Sequence, residues 1–153
     1  MAKTAKRSKS SVQSELSTLL ASTYTLYLKT QNYHWNVVGP MFTTLHTLFE
    51  VQYTEYATAI DEIAERLRSL GAFAPGSFTE FAKLSEVKEE LGEPDAVKMI
   101  KNLVADQEKI AQVALRLIEA AEKGPDQATA DLATRRLDIH QKNAWMLRSH
   151  LEK

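Results

Sequence analysis

Residues 45–70 read LHTLFEVQYTEYATAIDEIAERLRSL, and this stretch decides the fold. Leu45, Leu48, Phe49, Gln52, Tyr56, Ala59, Ile60, Ile63, Leu67 and Leu70 recur at intervals of three and four, the repeat that gathers side chains on one face of an α-helix. The pattern predicts a helix from about Thr43 to Leu70 that stops at Gly71. With Leu45 at zero and about 100° per residue, the apolar stripe lies within about 60° on either side. His46, Glu50, Asp61 and Glu65 then fall at about 100°, 140°, 160° and 200°, on a second face away from the stripe. Ala57, Ala64 and Tyr53 share the edge of that second face, so it reads as another packing surface and not merely a solvated one.

Working outward, the same periodicity recurs on both sides. A first helix is expected from about Ser11 to Val37, with Leu16, Leu20, Thr23, Tyr27, Thr30 and His34 on one stripe and Gly39-Pro40 as its breaker. Residues 72–93 form a long connection opened by Pro75 and Gly76, within which Phe78, Phe81 and Leu84 indicate a short helix. A third helix starts near Pro94 and carries Val97, Ile100, Leu103, Val104, Ala111, Ala114 and Ile118 inward. Gly124-Pro125 ends it, and a fourth spans about Asp126 to Leu151 with Ala133, Leu137, His140, Ala144, Leu147 and Leu151 inward. Four amphipathic helices, each roughly 37 Å long, make an all-α four-helix bundle whose central connection must travel the length of the bundle.

The 153 residues suffice for one domain with a sizeable core. The absence of cysteine excludes disulfides, thiolate metal sites and thiol nucleophiles. No apolar run approaches the roughly 20 residues that a bilayer-spanning helix needs. The basic N-terminus is not followed by an apolar segment, so it does not read as a secretory signal, and the expected compartment is the cytoplasm. Lys3, Lys6, Arg7 and Lys9 give residues 1–11 four positive charges and no acid. The net charge is −1, so the remainder carries −5 once those four are set aside. The expectation is a flexible basic tail, 1–11, on a helical domain, 12–153.

Imidazole nitrogens and carboxylate oxygens together suit divalent iron, manganese or zinc, depending on geometry. His46 and Asp61 are separated by about 22 Å of helix, too far for one ion to bridge. Two copies of this helix packed antiparallel across a two-fold axis would bring His46 of one to Asp61 and Glu65 of the other, with His34 joining from the His46 side. A solvated charged face would produce the same Asp61/Glu65 spacing, and His34 alone would suit a core or capping role. Two of the four histidines flanking one helix break, together with small residues on the carboxylate face, weigh on the side of metal.

The run Tyr33-His34-Trp35-Asn36-Val37-Val38-Gly39-Pro40-Met41-Phe42, with Leu45-His46, Phe49-Glu50 and Gln52-Tyr53 after it, resembles the first signature of the Dps family. Asp61-Glu62-Ile63-Ala64-Glu65-Arg66 resembles its second half, and the likeness extends over nearly the whole chain. It implies a ferritin-like subunit with one long crossover, assembled into a hollow homododecamer with ferroxidase centres at its two-fold interfaces. His34 and His46 from one subunit and Asp61 and Glu65 from its neighbour would be the iron ligands. Glu50 would bridge or serve a second metal, and Trp35 would intercept stray oxidising equivalents. The implied reaction oxidises Fe(II), with hydrogen peroxide preferred, and stores ferric iron; zinc or other divalent metals can take the same ligands. There is no Glu-x-x-His motif of the larger ferritins, and no fifth helix is expected after the fourth.

Acids near the start of the fourth helix, Asp126 and Asp131 foremost with Glu122 and Asp138 beside them, fall where the family has a three-fold iron-entry pore. Lys3, Lys6, Arg7 and Lys9 suit sequence-independent DNA binding, strengthened by twelve copies and consistent with a nucleoid location. Two other readings stand beside iron oxidation. One is a nucleoid-compacting protein with secondary metal chemistry, and the other an oligomer that is inert or binds zinc without turnover. His140 is expected in the core, His150 in solvent, and Trp145 in packing.

Overall fold

The computed structural model describes residues 2–152, with side chains described from residue 11 onward. Five helices follow in order: α1 (Ala2–Asn36), α2 (Phe42–Ser69), α3 (Phe78–Leu84), α4 (Ala96–Glu122) and α5 (Gln127–Arg148). α1 and α2 form one hairpin and α4 and α5 the other, with α1 packed on α4 and α2 meeting α5. This is the expected bundle, and α3 is the short helix expected within the crossover.

The boundaries follow local chemistry. α1 begins nine residues before the expected start near Ser11, because residues 2–36 contain neither glycine nor proline to stop a helix. The side chains of Lys3, Lys6, Arg7 and Lys9 lie outside those described. α2 ends in a left-handed turn at Gly71 (φ 82°), where the Ala72 amide bonds the Leu67 carbonyl at 3.0 Å. α4 starts two residues after Pro94, because the Asp95 carboxylate caps it by accepting from the Lys98 amide at 2.8 Å.

The core differs from the expected stripes at polar positions. Val97, expected inward, is 44% exposed, while Asp106 and Gln107 of α4 are buried. On α5, Leu137 is only half-buried, and Arg136 beside it is 2% exposed. Asp106, Gln107 and Arg136 each have a partner on another element. Arg136 forks onto Glu55 of α2, and Lys29 of α1 meets Asp106 at 2.7 Å. A charge read along one helix looks solvated; its partner across the bundle is what allows it inside.

The crossover is tied along α1. The Glu86 amide bonds Ser22 Oγ at 3.0 Å, Lys29 Nζ donates to the Lys88 carbonyl at 3.0 Å, and the Tyr33 hydroxyl donates to Glu90 at 2.6 Å. Successive crossover residues thus meet successive turns of α1, carrying the chain from the end of α2 to the start of α4.

Candidate metal centre

Helix α1 ends two residues after His34 and α2 begins four residues before His46. The five-residue link between the helices, with Gly39 at φ 104°, folds these turns against each other. The two imidazoles stack with centroids 3.7 Å apart and planes 14° from parallel. Each binds the other's backbone: His34 Nδ1 donates to the His46 carbonyl at 2.6 Å, and His46 Nδ1 donates to the His34 carbonyl at 2.7 Å. A carbonyl only accepts, so both Nδ1 atoms carry hydrogen. In neutral rings both lone pairs then sit on Nε2, with ring orientation fixed by the reciprocal bonds. This is how ligating histidines are commonly prepared for a metal. Phe42 stacks on His46 at 5.0 Å and Tyr53 meets His34 edge-on at 5.2 Å, packing the pair from both sides. The sequence assigned neither of these two aromatics a role, although both stand in the quoted motifs.

The carboxylates lie apart from this pair. Glu50 is exposed one turn beyond His46, and Asp61 and Glu65 are exposed about four turns further along α2. Among the described residues, no three His, Asp or Glu side chains gather to hold a metal within one chain. The remaining acids of α2 provide a contrast. Glu55 pairs with Arg136 and Glu62 with Arg135, whereas among the described residues Glu50, Asp61 and Glu65 have no ion-pair partner. The paired acids are structural, and the unpaired three keep their oxygens available.

The other expected residues fall elsewhere. Trp35 is 61% exposed, on the far side of the α1 terminus, where it borders a groove against the crossover. Asp126 caps α5, accepting from the Thr129 amide at 3.1 Å and hydroxyl at 2.7 Å, and pairs with Arg66 at 2.7 Å. Partial burial raises its pKa, but the Thr129 bonds and Arg66 outweigh that and hold the carboxyl below its usual range. Asp131 is exposed and pairs with Arg135 at 3.2 Å. His140 is fully buried, as expected; Trp145, expected in packing, is 61% exposed.

The ferritin-like domain family matches residues 13–153. A low-temperature-induced protein of Nostoc is 43% identical over 135 residues, covering 87% of this chain and 75% of that one. The DNA protection during starvation protein of Brevibacillus brevis is 34% identical over 148 residues, 94% of this chain and 99% of its own. Among solved structures, Dps from Thermosynechococcus elongatus superposes with a TM-score of 0.95 at 34% identity, covering 97% of this chain and 95% of that one. With the bundle, the crossover and the paired helix-end histidines, these matches place the chain in the Dps family of ferritin-like proteins.

Proposed function

We propose that this chain is a mini-ferritin that oxidises Fe(II) at centres shared between two subunits. It stores the ferric product in a hollow dodecamer and thereby protects DNA. The observation that carries the reading is the division of α2: two imidazoles with fixed Nε2 donors stand at one end and two unpaired carboxylates at the other. One subunit cannot unite groups about 22 Å apart along a helix. An antiparallel two-fold pairing of α2 unites them twice, giving two equivalent centres.

Hydrogen peroxide is the proposed oxidant. Two Fe(II), one peroxide and two protons give two Fe(III) and two waters, with no radical released when both electrons come from iron. His34 and His46 hold Fe(II) as neutral donors. Asp61 and Glu65, with Glu50 at the rim, add the negative charge that favours Fe(III). Zinc, suited to the same donors, would compete without turning over. Asp131 and the three-fold end of α5 are the proposed entry route; Asp126 is proposed there too, although its carboxylate already caps α5. Lys3, Lys6, Arg7 and Lys9, repeated twelve times, are the proposed DNA contacts. Among the described residues no helix is long and apolar enough to cross a membrane.

The test adds Fe(II) and then peroxide to the anaerobic protein and follows ferric absorbance. His46→Ala should slow its formation about a hundredfold or more, beyond the loss typical of a second-shell change. Equal rates in the variant and the parent would remove the centre from these ligands.

A further inference from the structure

The five tyrosines divide into two sets. Tyr33 and Tyr56 are fully buried, and their hydroxyls are engaged by Glu90 and Asn102 and by Gln107 and Asn143 respectively. Tyr24, Tyr27 and Tyr53 are half-buried and stand in a line that starts at the candidate centre. The His34 ring meets Tyr53 at 5.2 Å, Tyr53 meets Tyr27 at 6.1 Å, and Tyr27 meets Tyr24 at 5.8 Å, each contact close to edge-on. Tyr24, Tyr27 and His34 share one face of α1, about 15 Å from end to end, and Tyr53 of α2 closes the gap beside the histidine. The line ends where Tyr24 lies on Phe81 at 4.9 Å and opens onto a groove of about 810 Å³ between α1 and the crossover.

Packing alone does not require three hydroxyls. Phe49 and Phe81, the buried rings of the core beside this line, carry none. What distinguishes tyrosine is that it yields an electron and a proton together. In the single subunit none of the three phenols is sealed in the bundle core. The Tyr27 hydroxyl accepts from Gln31 Nε2 at 3.1 Å, which leaves its own hydrogen uncommitted. Electron transfer falls off exponentially with distance, so three short ring-to-ring steps are far faster than one jump along the helix.

We propose that Tyr53, Tyr27 and Tyr24 form a one-electron relay that carries stray oxidising equivalents from the shared iron centre to the groove beside α3, an inference that rests on the ferroxidase reading above. When a centre holds a single Fe(II), peroxide takes one electron from it and gives Fe(III), hydroxide and a hydroxyl radical. Tyr53 supplies the missing electron and a proton, so the hydroxyl radical becomes water and Tyr53 a neutral tyrosyl radical. Tyr27 then returns an electron to Tyr53, which regains a proton from water as Tyr27 loses one to it. Tyr24 does the same for Tyr27. A small one-electron reductant such as ascorbate restores Tyr24 at the groove.

The test uses the full assembled protein loaded with one Fe(II) per centre, mixed with peroxide and freeze-quenched for electron paramagnetic resonance, with ferric absorbance recorded on the same samples. The parent should form ferric iron and a tyrosyl radical that ascorbate discharges rapidly. Tyr27→Phe, which keeps the ring, should form ferric iron at the parent rate while its radical, stranded on Tyr53, is discharged severalfold more slowly. Ferric iron without any tyrosyl signal overturns the relay alone, as does a Tyr27→Phe radical discharged at the parent rate. Absence of ferric iron in the parent overturns the ferroxidase reading and the relay with it.

Discussion

The α1–α2 turn and the bundle core each hold a histidine environment, and what the ring nitrogens bond separates them. At the α1–α2 turn, His34 and His46 use Nδ1 on each other's carbonyls, leaving Nε2 without a protein partner among the described residues. In the bundle core, His140 uses both nitrogens: Nδ1 lies 2.6 Å from Gln107 Oε1 and Nε2 3.2 Å from Arg136 Nη2. Those bonds continue a network in which Gln107 and Asn143 donate to the Tyr56 hydroxyl and Arg136 holds Glu55. Burial, and then the neighbouring Arg136 charge, push the His140 pKa well down, so its ring is neutral. Both environments fix an imidazole with hydrogen bonds. Only the first leaves a lone pair uncommitted, and that separates a candidate ligand from a strut.

The largest expected effect is a crossed outcome between the two. His46→Ala should remove iron oxidation and change the unfolding free energy little, since its ring is half-buried and its bonds go to carbonyls of helix ends. His140→Ala should destabilise by about 3 kcal/mol, through a cavity and the stranded Gln107 and Arg136 groups, while leaving oxidation per folded protein near the parent value. Denaturant unfolding and the ferric assay on the same preparations check both arms; a reversed pattern would break the comparison. Tyr56→Phe, measured the same way, should cost about 2 kcal/mol by leaving the Gln107 and Asn143 amides without their shared acceptor. Acid gives the smallest effect. The unfolded histidine takes up a proton near its ordinary pKa of about 6.5, and folded His140 does not. Stability therefore falls as pH drops below that value, with His140 contributing at most about 1.4 kcal/mol per pH unit. His140→Gln should flatten that slope in thermal melts between pH 6.5 and 5.5.

The same contrast explains what could be read in advance. The stripe through Leu45, Phe49, Tyr56, Ile63 and Leu67 set the bundle, because apolar periodicity is local to one helix; all five are buried. Even Gln52, polar within that stripe, is 2% exposed. Arg136 and Asp106 were not legible as core residues, since their partners Glu55 and Lys29 stand 81 and 77 residues away. The shared face of His46, Asp61 and Glu65 was visible from spacing, and so was the impossibility of one chain uniting them. The carbonyl exchange between His34 and His46 was not, because it depends on how residues 37–41 turn and leaves no periodic trace.

The central claim is that each iron centre takes its histidines from one subunit and its carboxylates from another. Mixing His46→Ala and Asp61→Asn subunits by unfolding and reassembly tests it most directly, with each variant inactive on its own. In a mixed pair one centre carries both lesions and the other is intact, so random pairing of equal amounts should restore about a quarter of parent ferric formation. A mixture as inactive as its components, with mixed particles confirmed by native mass measurement, would contradict the shared centre.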